Sequence, residues 1–178
     1  MKKRIHIFGS GGSGTTTIAK NVCKQINYKH FDSDSYLWLP TEEPFTVTRP
    51  KEEYIRLMGD DLNNNEQWIL SGHVSFGFGD VYLPLYDLIV FVYVPMDIRK
   101  ERLEKREYER YGEKILPGGD RYENYNKFID YCLSYDTASG GRSLQNHEKW
   151  LKSVSCPVLR IINNSFEDSV NEVLEAIK

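Results

Sequence analysis

The sequence predicts an α/β fold in which a parallel sheet is covered by helices on both faces. Short β-branched apolar runs are nearly continuous instead of alternating, the pattern of strands buried on both sides. Segments with helical apolar spacing separate them, and that alternation implies right-handed crossovers and a doubly wound layer. The length of 178 residues suits one domain.

Arg4-Ile-His-Ile-Phe8 is the first strand and ends in glycines. Thr15 to Ile26 follows as a helix, with Ile18, Ala19, Val22, Cys23 and Ile26 on one face. A weaker strand spans Tyr28 to Phe31. Thr41 to Pro50 holds two prolines and little periodicity, so it reads as a loop. Pro50 to Asn63 starts with proline, which suits a helix start, and carries Tyr54, Ile55, Leu57, Met58 and Leu62. Trp68-Ile-Leu70 and Leu88 to Val94 are strands, the second stopped by Pro95. Asp97 is the expected N-cap of a helix over Ile98 to Arg110. A glycine-flanked polar segment, 111–121, interrupts two helices and reads as a lid. Ser143 to Lys152 is a further helix, Val158 to Ile162 the last strand, and Phe166 to Ile177 the closing helix.

Composition narrows the function classes. Apolar residues at 40% and charged residues at 28% argue against disorder. A net charge of -3 argues against general binding to duplex DNA or an anionic membrane, though it leaves room for a local basic groove. Three cysteines without a CxxC pair read as reduced thiols of a cytoplasmic protein. The apolar stretch after Met1-Lys2-Lys3-Arg4 is too short for a signal peptide. Leu88 to Val94 falls far below the roughly 18 residues of a membrane span.

The most informative segment is Gly9-Ser10-Gly11-Gly12-Ser13-Gly14-Thr15-Thr16, followed by Thr17, between the first strand and the first helix. Its GxxxxG-x-[ST] spacing is that of a phosphate-binding loop. Glycines let the backbone curl until successive N–H groups and the helix N-terminus converge on phosphate oxygens. Thr16 sits where a hydroxyl would reach Mg2+. The usual lysine is replaced by Thr15, which removes a cation that bridges terminal phosphates.

On these residues the chain resembles the P-loop small-molecule kinases, the group of adenylate, cytidylate and shikimate kinases. Within it, the chain is most similar to adenylate-kinase-related proteins of unassigned substrate. The resemblance implies a three-layer P-loop fold with a five-stranded parallel sheet of order 2-3-1-4-5 and a small lid. Gly12-Ser13-Gly14-Thr15-Thr16-Thr17 is similar to the lysine-free loop of some archaeal cytidylate kinases. His30-Phe-Asp32-Ser-Asp34 is similar to a shikimate-kinase segment. By that likeness Asp32 would join the Mg2+ shell or act as base, and Asp34 would bind an acceptor hydroxyl. From the residues alone, an Asx turn or a helix cap is the alternative reading of Asp32 and Asp34. Ser71 stands where related kinases carry aspartate, and His73 reads as a loop histidine.

Arg102 and Arg106 share one helix face and match the Arg-x-x-x-Arg of adenylate kinases, where one guanidinium stacks on adenine and the next reaches phosphate. A solvated charged face is the plainer reading. Arg121 and Arg142 bracket the helix after the lid, and either could replace the missing lysine; Arg49 is a weaker candidate for an acidic group. Tyr36 and Trp38 could stack on a ligand or belong to the core.

The expected function is an ATP-dependent phosphotransferase acting on a small molecule, with ATP and Mg2+, as a monomer or homodimer. A nucleotide-binding regulator or slow ATPase is the alternative, favoured by the changes at Thr15 and Ser71. A nucleic-acid-directed enzyme is disfavoured, because the aromatics do not cluster with basic residues.

Overall fold

Five strands, β1 (Arg4–Gly9), β2 (Lys29–Asp32), β3 (Trp68–Ser71), β4 (Leu88–Tyr93) and β5 (Val158–Ile162), pair in parallel in the order β2-β3-β1-β4-β5. The computed structural model describes residues 1–74 and 79–178. Successive side chains of a strand point to opposite faces, so each apolar run feeds two layers. Ile5, Ile7, Val90 and Val92 pack against α1 (Thr15–Ile26) and α7 (Phe166–Ile177). Phe8, Ile89 and Phe91 pack on the other face against α3 (Lys51–Asn63) and α6 (Leu144–Leu151). This is the expected three-layer arrangement and strand order.

Three further helices complete the cleft side: α2 (Ser33–Leu37), α4 (Met96–Tyr111) and α5 (Tyr122–Leu133). Two starts differ from expectation. Pro95, not Asp97, caps α4, and Asp97 lies in its first turn, where a carboxylate favours the helix dipole. Pro50 likewise sits one residue before α3. Both prolines cap without a side-chain hydrogen bond.

The stretch expected as a plain loop between α2 and α3 is a clip. Trp38 and Thr48 form an antiparallel bridge, and Leu39 N–H donates to the Val47 carbonyl at 2.9 Å. Phe45 at its tip has φ 62°. Segment 111–121 contains one turn of 3-10 helix, Gly112–Ile115, whose Ile115 is buried. Arg121 N–H closes this segment on the Lys114 carbonyl at 3.0 Å.

Arg99 is fully buried at the base of α4. A buried guanidinium is costly unless its donors are satisfied. Nε donates to the Val94 carbonyl and Nη1 to the Cys132 carbonyl, each at 2.9 Å. Nη2 pairs with Asp136, and the guanidinium lies 5.2 Å from the centre of the Tyr135 ring. One side chain thus joins the end of β4 to the end of α5. Arg99→Met should lower stability by about 3 kcal/mol, because Asp136 loses its buried partner. Urea denaturation measures this, and a change below about 1 kcal/mol would count against the assignment.

Candidate active site

The loop from Gly9 to Thr15 leaves β1 and enters α1 through two left-handed glycines, Gly12 at φ 82° and Gly14 at φ 84°. It is also packed too tightly for larger residues. A Cβ on Gly12 would lie 3.0 Å from the Arg99 carbonyl oxygen, and one on Gly9 would lie 2.3 Å from that of Val92. Ser13 is buried beneath the loop, with its Oγ donating to the Ser10 carbonyl at 2.7 Å. Asn163, after β5, donates from Nδ2 to the Ser13 carbonyl at 2.9 Å and accepts from Ser169 Oγ at 3.2 Å. Gly14 gives α1 no side-chain cap, and its first turn holds no acidic residue. That helix end therefore presents uncapped amides and partial positive charge. The Ser10 hydroxyl is buried with no hydrogen-bond partner among the described residues.

This loop floors a cleft of about 870 Å³ at the carboxyl ends of the strands. Open α/β sheets bind ligands at that edge. Gly9, Ser10, Gly11, Gly12, Gly14, Thr15, Thr16 and Thr17 line it together with Asp32, Asp34, Arg102, Arg106 and Arg142. An adjoining cavity of about 410 Å³ shares Asp34, Arg106, Arg110 and Arg142 and adds Arg121. Arg121 is thus apart from the glycine loop. It is paired with Glu43 at 3.2 Å and stacked 4.3 Å from the Tyr111 ring centre. Arg49 lines the main cleft but is tied to Glu53 at 2.7 Å and the Tyr36 carbonyl at 2.9 Å. Tyr36 bonds Asp61 and packs on the core, whereas Trp38 lines the cleft.

Asp32 caps a helix and also meets the glycine loop. Its Oδ1 accepts from the Asp34 N–H at 3.1 Å and caps α2. Its Oδ2 accepts from Thr16 Oγ1 at 3.2 Å, beside the glycine loop. Asp34 opens into the cleft. Desolvation by the cleft walls raises its pKa above the usual carboxylate range, and the neighbouring Asp32 charge adds to this. Arg142, Arg106 and Arg110 oppose the shift.

Several neighbours make contacts that carry no signal in the sequence. Ser71 is fully buried behind Thr16, so it faces the back of the hydroxyl and not the cleft. His30 Nε2 lies 2.9 Å from Ser71 Oγ. Gly72 has φ 101°, and its carbonyl meets His6 Nε2 at 2.9 Å. His73 is more than a loop residue: it lines the cleft and stacks on buried His147, Nδ1 to Nε2 at 3.1 Å. Burial, with Arg142 next, lowers the His147 pKa to about 3. Arg110 lines the cleft and stacks on Phe45 of the clip at 4.8 Å. The one hint of that contact was spacing, since Arg110 falls four residues beyond Arg106.

Residues 5–127 match a family model described as an AAA domain, AAA_18. The chain belongs to the AAA_18 family of P-loop domains. An uncharacterized protein of Bacillus subtilis (strain 168), YqaC, is 43% identical over 177 residues, covering 98% of this chain and 97% of that protein. The AAA_18 chain also shares its fold with solved small-molecule kinases. A shikimate kinase from Bacteroides thetaiotaomicron aligns over 99% of both chains at TM-score 0.58 and 19% identity. A gluconokinase from Sinorhizobium meliloti 1021 aligns over 98% of this chain and 91% of its own, at TM-score 0.56 and 14% identity. Membership in this family of P-loop domains implies nucleotide binding. Among the described residues, no helix is long and apolar enough to cross a membrane, and all three cysteines are free.

The raised pKa of Asp34 has a linked effect on stability. Between the ordinary carboxylate value, about 4, and the raised folded value, the native state holds more protons than the unfolded chain. Stability therefore falls as pH rises through that window, and the loss persists above it. Asp34→Asn should match wild type below the window and exceed it at pH 7. Thermal midpoints of both proteins across this range test the sign, and a gap that closes toward pH 7 would contradict it.

Proposed function

We propose that the protein transfers the terminal phosphoryl group of Mg-ATP to a small-molecule acceptor, in the manner of a nucleoside-monophosphate kinase. The observation that carries this reading is convergence: an uncapped glycine loop, two carboxylates and a set of arginines line one cleft. A protein that only held a nucleotide would have less use for a carboxylate and an arginine beyond the phosphate loop.

The residues present fit both ligands. Left-handed Gly12 and Gly14, the free helix end and the unpartnered Ser10 hydroxyl form a cradle for phosphate oxygens. Thr16 and Asp32 offer hard oxygens within 3.2 Å of each other. Among the described residues no group of three or more His, Cys, Asp or Glu could hold a metal. Mg2+ does not require one, because it binds through one or two protein oxygens, water and substrate phosphates. When bound, the ion would neutralise charge building on the phosphates.

In this reading the first-turn amides of α1 hold the phosphates in place. Asp34 orients the acceptor oxygen and, where that oxygen is a hydroxyl, takes its proton; its raised pKa makes it a stronger base than an ordinary carboxylate. The acceptor oxygen bonds to the γ-phosphorus as the bond to the β-bridging oxygen breaks, so ADP leaves with that electron pair. Arg142 replaces the cation lost at Thr15, because it alone of the two bracketing arginines lines the loop's own cleft. Arg102 and Arg106 lie on the same wall and bind the nucleotide. Segment 111–121, with Arg121, acts as the lid over the adjoining cavity.

A panel of nucleoside monophosphates and small hydroxy compounds, assayed for ADP release from Mg-ATP, should find an acceptor that raises turnover well above hydrolysis. Release that no acceptor stimulates would favour the slow-ATPase alternative. Gly14→Val should abolish nucleotide binding by calorimetry while the protein stays folded. Arg142→Ala should lower kcat by about 10³-fold, the scale of an arginine supplied to phosphoryl transfer. Arg121→Ala should cost far less, and equal losses would mean that Glu43 releases Arg121 during turnover.

A further inference from the structure

We infer that His30 is a positioning residue of the metal site: its Nε2–H holds the Ser71 hydroxyl, which holds Thr16 with one lone pair facing the cleft. The inference deepens the phosphotransfer reading and rests on it. Ser71 is fully buried and cannot touch a ligand in the cleft, so its hydroxyl acts only through neighbours. It has one hydrogen and two lone pairs to place. Thr16 Oγ1 at 3.4 Å and the Phe31 carbonyl at 3.5 Å are acceptors within its reach. Because the Thr16 hydrogen goes to Asp32, a Ser71–Thr16 bond uses the Ser71 hydrogen, and His30 Nε2, 2.9 Å away, is then the donor to Ser71 Oγ.

Thr16 completes the chain. Its hydroxyl hydrogen goes to Asp32 Oδ2 at 3.2 Å, a charged acceptor and so the stronger one. One Thr16 lone pair accepts from Ser71. The other remains, and Thr16 lines the cleft. If His30 instead accepted, Ser71 would turn its hydrogen away from Thr16. Thr16 would still donate to Asp32 but would lose the donor on its first lone pair, so its oxygen would be held on one side only. His30 thereby sets the direction of the Ser71–Thr16 hydrogen bond from its place on β2.

Two measurements test this. In wild-type protein with 15N-labelled histidine, long-range 1H–15N spectra at pH 8 should show His30 as the Nε2–H tautomer, and the Nδ1–H tautomer would overturn the inference. Mn2+, observed by electron paramagnetic resonance, is then titrated into the protein–ADP complex as a substitute for Mg2+. His30→Leu should weaken Mn2+ binding about tenfold, as loss of an outer-shell partner does, and His30→Gln, which keeps an N–H, should stay within about threefold of wild type. ADP affinity in EDTA should be the same in all three proteins. Equal Mn2+ affinity in all three would overturn the inference, as would an equal fall in metal-free ADP affinity. Failure of wild type to bind ADP at all would sink the nucleotide reading, while the tautomer measurement would still judge His30.

Discussion

The buried Arg99 guanidinium is the interaction on which the cleft depends. It cannot be solvated, so it gathers carbonyls and a carboxylate from three places in the chain. In doing so it fixes the first turn of α4 against β4 and the end of α5. The carbonyl of the same residue then forms the surface on which Gly12 rests. The glycine loop owes its shape to that platform on one side and to Asn163 on the other. A loop so held keeps its amides pointed into the cleft before any ligand arrives, and preorganised donors cost no reorganisation on binding.

The sequence made the central strands legible because β1, β3 and β4 feed two apolar layers and so appear as nearly unbroken apolar runs. The edge strand Val158 to Ile162 is also assigned residue for residue. α1 and α7 are likewise recovered at both ends. Where local chemistry offered two caps, as with Pro95 and Asp97, the backbone restriction of proline decided the start of α4. The clip was not legible, since Thr41 to Pro50 has little periodicity and is ordered by hydrogen bonds between its two arms.

The candidate site divides the same way. Residues tied to a motif with a backbone reason, the glycines, Thr16 and Asp32, stand together in the cleft as the spacing implies. Residues that act through distant partners are invisible to spacing. His30 meets Ser71 across 41 positions, and Asn163 meets Ser13 across 150. Of the two departures from the kinase pattern, Thr15 lacks a cation and Ser71 lacks an anion, so together they leave the net charge of the chain unaltered.

The arginine wall has a consequence for encounter. Although the whole chain is acidic, with a net charge of -3, the described lining of the main cleft holds Arg49, Arg102, Arg106, Arg110 and Arg142 with Asp32 and Asp34. The arginines stay in excess after Arg49 pairs with Glu53 and Arg106 and Arg110 share Glu107. A charged recess between low-dielectric walls concentrates field lines at its mouth. The acidic exterior repels anions that approach elsewhere, while the cleft draws them in. Polyanions therefore reach the glycine loop along a guided path, at rates that fall as added salt shortens the Debye length.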